Sequence, residues 1–528
     1  MLRIISNTLI DKIREMFGGN IINIENVSGG LVHYTYLVVI EKGEQFILKI
    51  RGDSFKENSD LYLAPNDIEF EAEVMKLLNQ LMPGCVPELI NFFMEENAIL
   101  MSNIGGQESN FVQLMQNGKL SLKDYYNIGK QTGDFCGRIN KEHFKLKCDK
   151  TAVNFEDNLT FRLNRHNLPY LSELVKTVKA ANKFNIFGDL SPKNIFYIDG
   201  KVKICDFDNF QTGPLELDKY YLLAHIIINN LSNALLVDIV NNFLLGFAES
   251  DIKDQLSWEM IFKYILSIII YRFDNNAIKY DCSKSVEDRY ELAQKIYYAF
   301  YTDKNFDDMG QLIFYLTSDK VNEIEAKILE VNYKIIIDKL ESNNSVLILD
   351  DTTTIESYET PHKAPELSGD EELDEMVKHL SLITKGFTVS LDAAGAYLRI
   401  RRQKGVYEFT LKYKIGGEDP NLKIEKEINV KINDSDKLLK VKKWLSDNGF
   451  TIVSNEIKDR KSYISRLYGT RIDIDSWLKP LIATYIEIEG FDRQSIEETA
   501  YSLGYAKESL SSITGKELFK KYNVKRGL

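Results

Sequence analysis

Phe187-Gly188-Asp189-Leu190-Ser191-Pro192-Lys193-Asn194, followed by Ile204-Cys205-Asp206-Phe207-Asp208, is the stretch on which the first half of the chain turns. Two short apolar segments, Lys183 to Tyr197 and Lys201 to Phe207, are joined by Asp199-Gly200 and read as a hairpin. It brings three oxygen-bearing side chains to one end. Phosphoryl transfer needs such a set: a carboxylate to orient the attacking hydroxyl and accept its proton, and an amide with a second carboxylate to hold Mg²⁺ against phosphates. Asp189 is the expected base, and Asn194 and Asp206 are the expected metal ligands. Each alone is ordinary turn chemistry; the joint spacing carries the reading.

Working outward, Ile21 to Arg51 alternates like strands around Ser28-Gly29-Gly30 and Gly43. Pro65 to Leu81 has helical periodicity, with Ile68, Ala72, Met75 and Leu78 or Leu77 on one face, and Ala98-Ile99-Leu100-Met101 is strand-like. Residues 107 to 183 and 215 to 300 look mostly helical. The order is a small sheet with a helix, then a helical lobe that holds the hairpin.

These residues resemble the aminoglycoside phosphotransferase and choline kinase family, whose pattern reads His-Gly-Asp-x-x-x-x-Asn, then Ile-Asp-Phe-Asp, Gly-Pro and a later Asp. Gly188-Asp189, Asn194, Ile204-Cys205-Asp206-Phe207-Asp208, Gly213-Pro214 and Asp218 stand in those places, over about residues 1 to 300. The resemblance implies a bilobal protein-kinase-like fold, with ATP in the cleft as phosphoryl donor to a small-molecule hydroxyl or amine. It implies that Lys49 contacts the ATP phosphates, steadied by Glu71 as the best match among Glu69, Glu71 and Glu73. It also makes Ser28, Gly29 and Gly30 the phosphate loop and Met101 to Ile104, Asn103 included, the hinge beside adenine. Phe187 replaces the family's usual His, which predicts weakened or specialised catalysis.

After about Ser318 the texture changes to short strands separated by turn signals such as Gly416-Gly417 and Asn448-Gly449. The expected boundary lies between Asp303 and Lys320, giving domains 1–310 (N-lobe about 1–104, C-lobe about 105–310) and 320–528. The acidic stretch Glu356 to Lys378, with Pro361, Pro365 and Gly369, reads as an insertion or mobile loop.

Successive strand residues point to opposite faces, so Glu323, Glu325 and Lys327 share one face and Ile324, Ala326 and Ile328 the other. The pattern recurs in Arg399 and Arg401, Thr410, Lys412 and Lys414, Glu425 and Glu427, Lys458 and Arg460, Asp473 and Asp475, and Glu487 and Glu489. A sheet with a wet, salt-bridged outer face shows the same alternation. The helical segments Val331 to Leu340, Ser435 to Asn448 and Arg493 to Leu503 argue otherwise, because their apolar faces need the apolar side of the sheet. The charged face is then left to close on itself. Acids and bases buried together must pair or bind ions, and a polyphosphate with divalent metal suits both signs.

This half is similar to the CYTH family, the triphosphate tunnel metalloenzymes. Its Glu-x-Glu-x-Lys opening stands as Glu323-Ile324-Glu325-Ala326-Lys327, followed by Leu398-Arg399-Ile400-Arg401, Phe409-Thr410-Leu411-Lys412, Ile424-Glu425-Lys426-Glu427, Lys458-Asp459-Arg460 and Tyr485-Ile486-Glu487-Ile488-Glu489-Gly490. The resemblance implies an eight-stranded antiparallel β tunnel with flanking helices, so the chain as a whole is expected to be α+β. It makes Lys327, Arg399, Arg401, Lys412, Lys458 and Arg460 the triphosphate-binding residues. Glu323, Glu325, Glu425, Glu427, Asp475, Glu487 and Glu489 are then candidate ligands of Mg²⁺ or Mn²⁺.

Composition bounds the rest. Hydrophobic residues at 44% and charged residues at 27% are the balance of an ordinary globular protein. A net charge of −12 argues against nucleic acid as partner. Cys85, Cys136, Cys148, Cys205 and Cys282 show no C-x-x-C spacing and fit a reducing cytoplasm. The opening residues lack a signal-peptide core, and Tyr220 to Ile228 and Ile261 to Ile270 read as buried helices rather than membrane spans. The expectation is a bifunctional cytoplasmic enzyme that phosphorylates a small molecule from ATP and hydrolyses, or cyclises, a triphosphate. The alternative is a class IV adenylyl cyclase-like tunnel regulated by a nucleotide-sensing kinase-like lobe.

Overall fold

The alternating segments near the start of the chain are strands in the computed structural model, which describes residues 5–18, 21–27, 33–52, 54–55, 58–62, 67–141, 171–181, 184–250, 252–273, 286–318, 323–361, 363–415, 421–432 and 434–524. The chain divides into two units, one of Met1–Arg289 with Asp303–Thr317, the other of Tyr290–Thr302 with Ser318–Leu528.

In the first unit, helix α1 (Asn7–Met16) precedes strands β1 (Ile21–Val27), β2 (Tyr34–Ile40) and β3 (Gln45–Ile50), the small ladder β4 (Ser54–Phe55) with β5 (Asn58–Tyr62), helix α2 (Asp67–Leu81), and strands β6 (Leu89–Phe93) and β7 (Ala98–Ser102). The five longer strands form one antiparallel sheet in the order β1-β2-β3-β7-β6. Leu9 and Ile13 of α1 pack against Tyr36, Val38, Leu48, Ile50 and Leu100. Lys49, between Leu48 and Ile50, therefore points from the opposite face.

Helices α3 (Phe111–Gln116), α4 (Leu122–Lys141) and α5 (Leu171–Ala180) lead to strands β8 (Phe184–Ile186), β9 (Ile195–Ile198), β10 (Lys201–Ile204) and β11 (Gln211–Gly213). The β9–β10 hairpin turns on Asp199 and Gly200, both with positive φ (50° and 75°), as a two-residue hairpin turn requires. Helices α6 (Glu216–Asn230), α7 (Leu236–Ala248) and α8 (Trp258–Phe273) follow. Every residue of α6 is buried, as are Met260 to Tyr271 of α8. These are the stretches read from sequence as buried helices, and among the described residues no helix is long and apolar enough to cross a membrane. Helices α4 and α7 meet through glycines: a Cβ on Gly129 would lie 2.1 Å from the Phe243 carbonyl oxygen, and one on Gly246 2.0 Å from that of Tyr126. Helix α9 (Val286–Tyr301) belongs from Tyr290 on to the second unit, and α10 (Met309–Thr317) completes the run of the first.

The second unit contains β12 (Glu323–Ile328), α11 (Tyr333–Ser342), β13 (Val346–Glu359), α12 (Glu371–Ile383), β14 (Ala396–Gln403), β15 (Val406–Lys414), β16 (Lys423–Ile432), α13 (Ser435–Asp447), β17 (Thr451–Ile464), β18 (Arg471–Lys479), β19 (Tyr485–Gly490), α14 (Arg493–Ser502) and α15 (Gly515–Lys521). The strands form a closed antiparallel barrel, β12-β16-β15-β14-β13-β17-β18-β19, sealed by β19 on β12. Its apolar residues face outward under helices, as the amphipathic segments required. Ile336, Leu340, Ile496, Ala500 and Leu503 cover Ala326, Ile328, Ile472, Ile474, Ile486 and Ile488. Leu373, Met376, Val377, Leu380, Val441 and Leu445 cover Leu398, Ile400, Phe409, Leu411, Val430 and Ile432.

The stretch 356–378 is not the loop its acidity suggested. Part of it is the end of β13 and part is α12, whose start is capped by the Asp370 carboxylate on the Leu373 N–H. Glu371, Glu372 and Asp374 fill the first turn, where the helix dipole favours acids, and the apolar face lies on the outside of the barrel.

Two substitutions test these packings by chemical denaturation of the full chain. Ile488→Ala, which empties a fully buried site beneath α14, is expected to cost about 2–5 kcal/mol. Gly129→Ala, which must push α4 from α7, is expected to cost about 1–3 kcal/mol.

Candidate functional sites

In the first unit one ammonium ties three elements together. Lys49 Nζ of β3 donates to Glu71 Oε1 and Oε2 of α2 at 2.7 and 2.8 Å and to Asp206 Oδ1 at 2.5 Å. Glu71 Oε1 also accepts the Phe207 N–H at 3.2 Å. Of the three glutamates at issue, Glu71 is the one fully buried and paired with Lys49. Burial by itself would lower the Lys49 pKa, but Asp206, Glu71 and Asp208 outweigh it and raise it, so the ammonium stays charged. Asp206 sits in the left-handed region at φ 70°, a conformation that costs a non-glycine residue about 1–2 kcal/mol. Next along, Asp208 Oδ2 lies 3.2 Å from His33 Nε2.

The loop that carries Asp189 is held by Asp218 at the start of α6, whose two carboxylate oxygens accept the Phe187 and Gly188 N–H groups at 2.6 and 2.9 Å. Gly188 has φ 75°, and a Cβ there would meet the Asn209 carbonyl oxygen at 2.1 Å, so only glycine fits. Asn194 is buried and donates Nδ2 to the Asp189 carbonyl at 3.0 Å. The Asn194 carbonyl accepts the Cys205 N–H at 3.0 Å, joining this loop to the Asp206 segment. Lys193 Nζ stands 3.5 Å from Asp189 Oδ2. Burial opposes its charge, and Asp189 and Asp206 together overcome that and raise its pKa. Phe187 is buried with its ring 6.2 Å from that of Phe207.

Met101 is a buried residue of β7. Asn103 commits its N–H to the Gln45 carbonyl at 3.3 Å and its side-chain amide to the Gln45 side chain at 3.0 Å. Ser28, Gly29 and Gly30 lie outside the described residues. Sequence reasoning did not assign roles to Asp218, Lys193, His33 or Asp208. Asp218 was legible in the family pattern, whereas His33 carries no motif of its own.

In the second unit the barrel interior is a network of opposed charges. Glu325 is within 3.0 Å of Lys327, 3.1 Å of Lys412 and 3.6 Å of Lys423. Lys412 also reaches Glu425 at 3.2 Å and Glu427 at 3.6 Å. Arg460 binds Asp475 through Nε and Nη2, each at 2.7 Å, and pairs with Asp473 as well, while Lys458 meets Asp475 at 2.6 Å. Glu487 links the two groups, 2.7 Å from Lys327 and 3.9 Å from Arg460. Arg399 faces Glu427 at 3.7 Å and Arg401 faces Glu408 at 2.5 Å. Glu489 stands opposite Glu325 in one ladder and Arg471 in the next. Glu323 pairs by backbone with Glu425, and its side chain is outside the described residues.

The fields are strong. Burial and Glu487 push the Glu325 carboxyl up, but Lys327, Lys412 and Lys423 hold it down at about 2. Lys458 is lowered to about 8 by burial and Arg460, against the pull of Asp475 and Glu487. The arrangement is uneven: Glu325, Glu425, Glu427, Glu487 and Glu489 lie on the contiguous strands β16, β12 and β19, and Arg399, Arg401, Lys458 and Arg460 on β14 and β17. Arg399 and Thr410 are ladder partners, and Arg399 Nε and Thr410 Oγ1 are both shut off from solvent with no hydrogen-bond partner among the described residues. A buried donor pair of this kind suits an oxyanion.

No family model matches the chain, and no curated protein matches its sequence. Solved structures similar to it fall into two groups. Over the N-terminal region stand the aminoglycoside phosphotransferase APH(2'')-Ib in its ADP-bound form (12% identity, 59% of this chain and 96% of that one, TM-score 0.34) and the amicoumacin kinase hAmiN with AMP-PNP, Ca²⁺ and Ami (12%, 55% and 94%, TM-score 0.37). Over the C-terminal half stands an adenylate cyclase candidate from Vibrio parahaemolyticus (14%, 38% and 99%, TM-score 0.28).

Proposed function

We propose that the chain is a bifunctional phosphate-transfer enzyme. In the first unit, Asp189 takes the proton of a small-molecule hydroxyl or amine as that group attacks the γ-phosphorus of ATP, and ADP leaves. Lys49, steadied by Glu71, neutralises phosphate charge. Asn194 Oδ1 and Asp206 are the residues to hold Mg²⁺ or Mn²⁺, which supplies charge stabilisation on the transferring group. The observation that carries this reading is the single ammonium of Lys49 joined to both Glu71 and Asp206 beside the loop of Asp189. The bracing of that loop by Asp218 favours catalysis over mere sensing, since it acts through backbone N–H groups that Phe187 supplies as well as histidine would.

In the second unit, Lys327, Arg399, Arg401, Lys412, Lys458 and Arg460 grip a triphosphate, and the glutamate-rich wall is suited to a divalent cation. Water attack on a terminal phosphorus then releases phosphate. Support comes from Arg399 Nε and Thr410 Oγ1, buried donors on neighbouring strands that an oxyanion would satisfy.

Purified full-length protein with ATP, tripolyphosphate and Mg²⁺ or Mn²⁺, with products identified, tests both activities. Asp189→Ala is expected to lower ATP-dependent phosphorylation about 10²–10⁴-fold and leave tripolyphosphate turnover unchanged. Glu325→Gln is expected to do the reverse, with a loss of about 10²–10³-fold. Co-loss of both activities in either variant would end the assignment of separate sites. Asp218→Asn, which weakens the brace without touching substrate, is expected to lower kcat about 10²-fold with little change in the KM for ATP; a rise in KM alone would refute that role.

A further inference from the structure

The segment from Asp206 to Asp208 is tied to the sheet by two strands that lie side by side. Lys49 of β3 holds Asp206, and His33, one residue ahead of β2, holds Asp208; Thr35 of β2 is the ladder partner of Lys49. His33 is buried to 5% exposure, and its Nε2 faces Asp208 Oδ2 at 3.2 Å. A carboxylate only accepts, so Nε2 carries the hydrogen, and the bond forms whether the ring is neutral or charged. The other Asp208 oxygen, Oδ1, accepts Asn209 Nδ2 at 2.8 Å. Two residues earlier, Asp206 has its left-handed φ of 70°. A residue other than glycine persists in that conformation only where its surroundings hold it.

The two ties differ in what happens to them during the proposed phosphoryl transfer. There the Lys49 ammonium turns to the phosphates of ATP and the Asp206 carboxylate to the cation, so their 2.5 Å contact is given up when both bind. The strained residue thus loses an anchor at the step in which it has to hold the metal. The His33–Asp208 bond uses neither of those groups, and neither does the Phe207 N–H on Glu71 at 3.2 Å, so both persist with the site full. We infer that His33 is a positioning residue of the first unit: through Asp208 it keeps Asp206 in its left-handed conformation while metal and nucleotide are bound, an inference that rests on Asp206 being a metal ligand. His33 touches neither substrate nor cation in this role. Glutamine at the position keeps an N–H donor at about the reach of Nε2, and leucine removes it.

The test is amide hydrogen exchange of the full chain read by mass spectrometry, following the peptide of residues 204–211 as Mn²⁺ is titrated in the presence of AMP-PNP. The native chain is expected to gain protection there. In His33→Leu the Mn²⁺ concentration for half-protection is expected to rise about 10-fold, the scale on which a site weakens when a group supporting a ligand is lost. His33→Gln is expected to return it close to the native value. Asp208→Ala is expected to give the same rise, and adding His33→Leu to it no more, because the two changes remove one bond. Peptides of β12 and β19 serve as the control and are expected to respond as in the native chain. An unchanged half-protection concentration in His33→Leu, or faster exchange that is equal with and without metal and nucleotide, overturns the inference and leaves the kinase reading standing. A native chain that gains no protection at 204–211 overturns both. The expected rise in a chain that phosphorylates no acceptor from ATP keeps the role of His33 at a cation site and removes the kinase reading.

Discussion

A charge taken out of water costs several kcal/mol unless an opposite charge and hydrogen bonds replace the lost hydration. Both units of this chain are organised by that constraint. In the first, Lys49 is carried by a strand, Glu71 by a helix and Asp206 by the loop after a hairpin, and no two are near in sequence. Lys49 and Glu71 cannot be buried apart, and Asp206, partly exposed, adds a third contact, so the ammonium fixes sheet, helix and loop in one arrangement. In the second, Lys412, Lys458 and Arg460 each meet an acid on a neighbouring strand, and the apolar outer face is left for four helices to cover.

Much of this was legible because β-strand periodicity is exact. Glu325 and Lys327 against Ala326 and Ile328, or Arg399 and Arg401 against Leu398 and Ile400, announce which side is which, and the helices with one apolar face say which side must be covered. Glu71 was expected through the family resemblance alone, and the structure places it three residues after Ile68 and four before Met75, inside the buried stripe of α2. Helix α12 was misread because three acids and two nearby prolines look like a solvated loop when the cap that explains them, Asp370, is not recognised. The pairing of His33 with Asp208, separated by 175 residues, had no local signature at all. Periodicity tells which way a side chain points, and only the fold tells what it meets.

Phe187 shows how a loop can be held without the side chain at its start. The side chain is apolar and buried against Phe207, while the loop it belongs to is held by two backbone N–H groups on the Asp218 carboxylate. A backbone donor is insensitive to the residue that owns it. The position tolerates phenylalanine because its neighbour Gly188 supplies the left-handed turn and Asp218 supplies the hold.

The barrel wall is an unbroken ring of ladder hydrogen bonds, since β19 returns to β12 and no strand is left with an open edge. Nothing can slip in sideways between strands. Whatever reaches Glu325 or Arg399 has to travel lengthwise, and an interior spanned by eight strands is only about as wide as its own side chains allow. Cross-section as well as charge therefore limits what can enter.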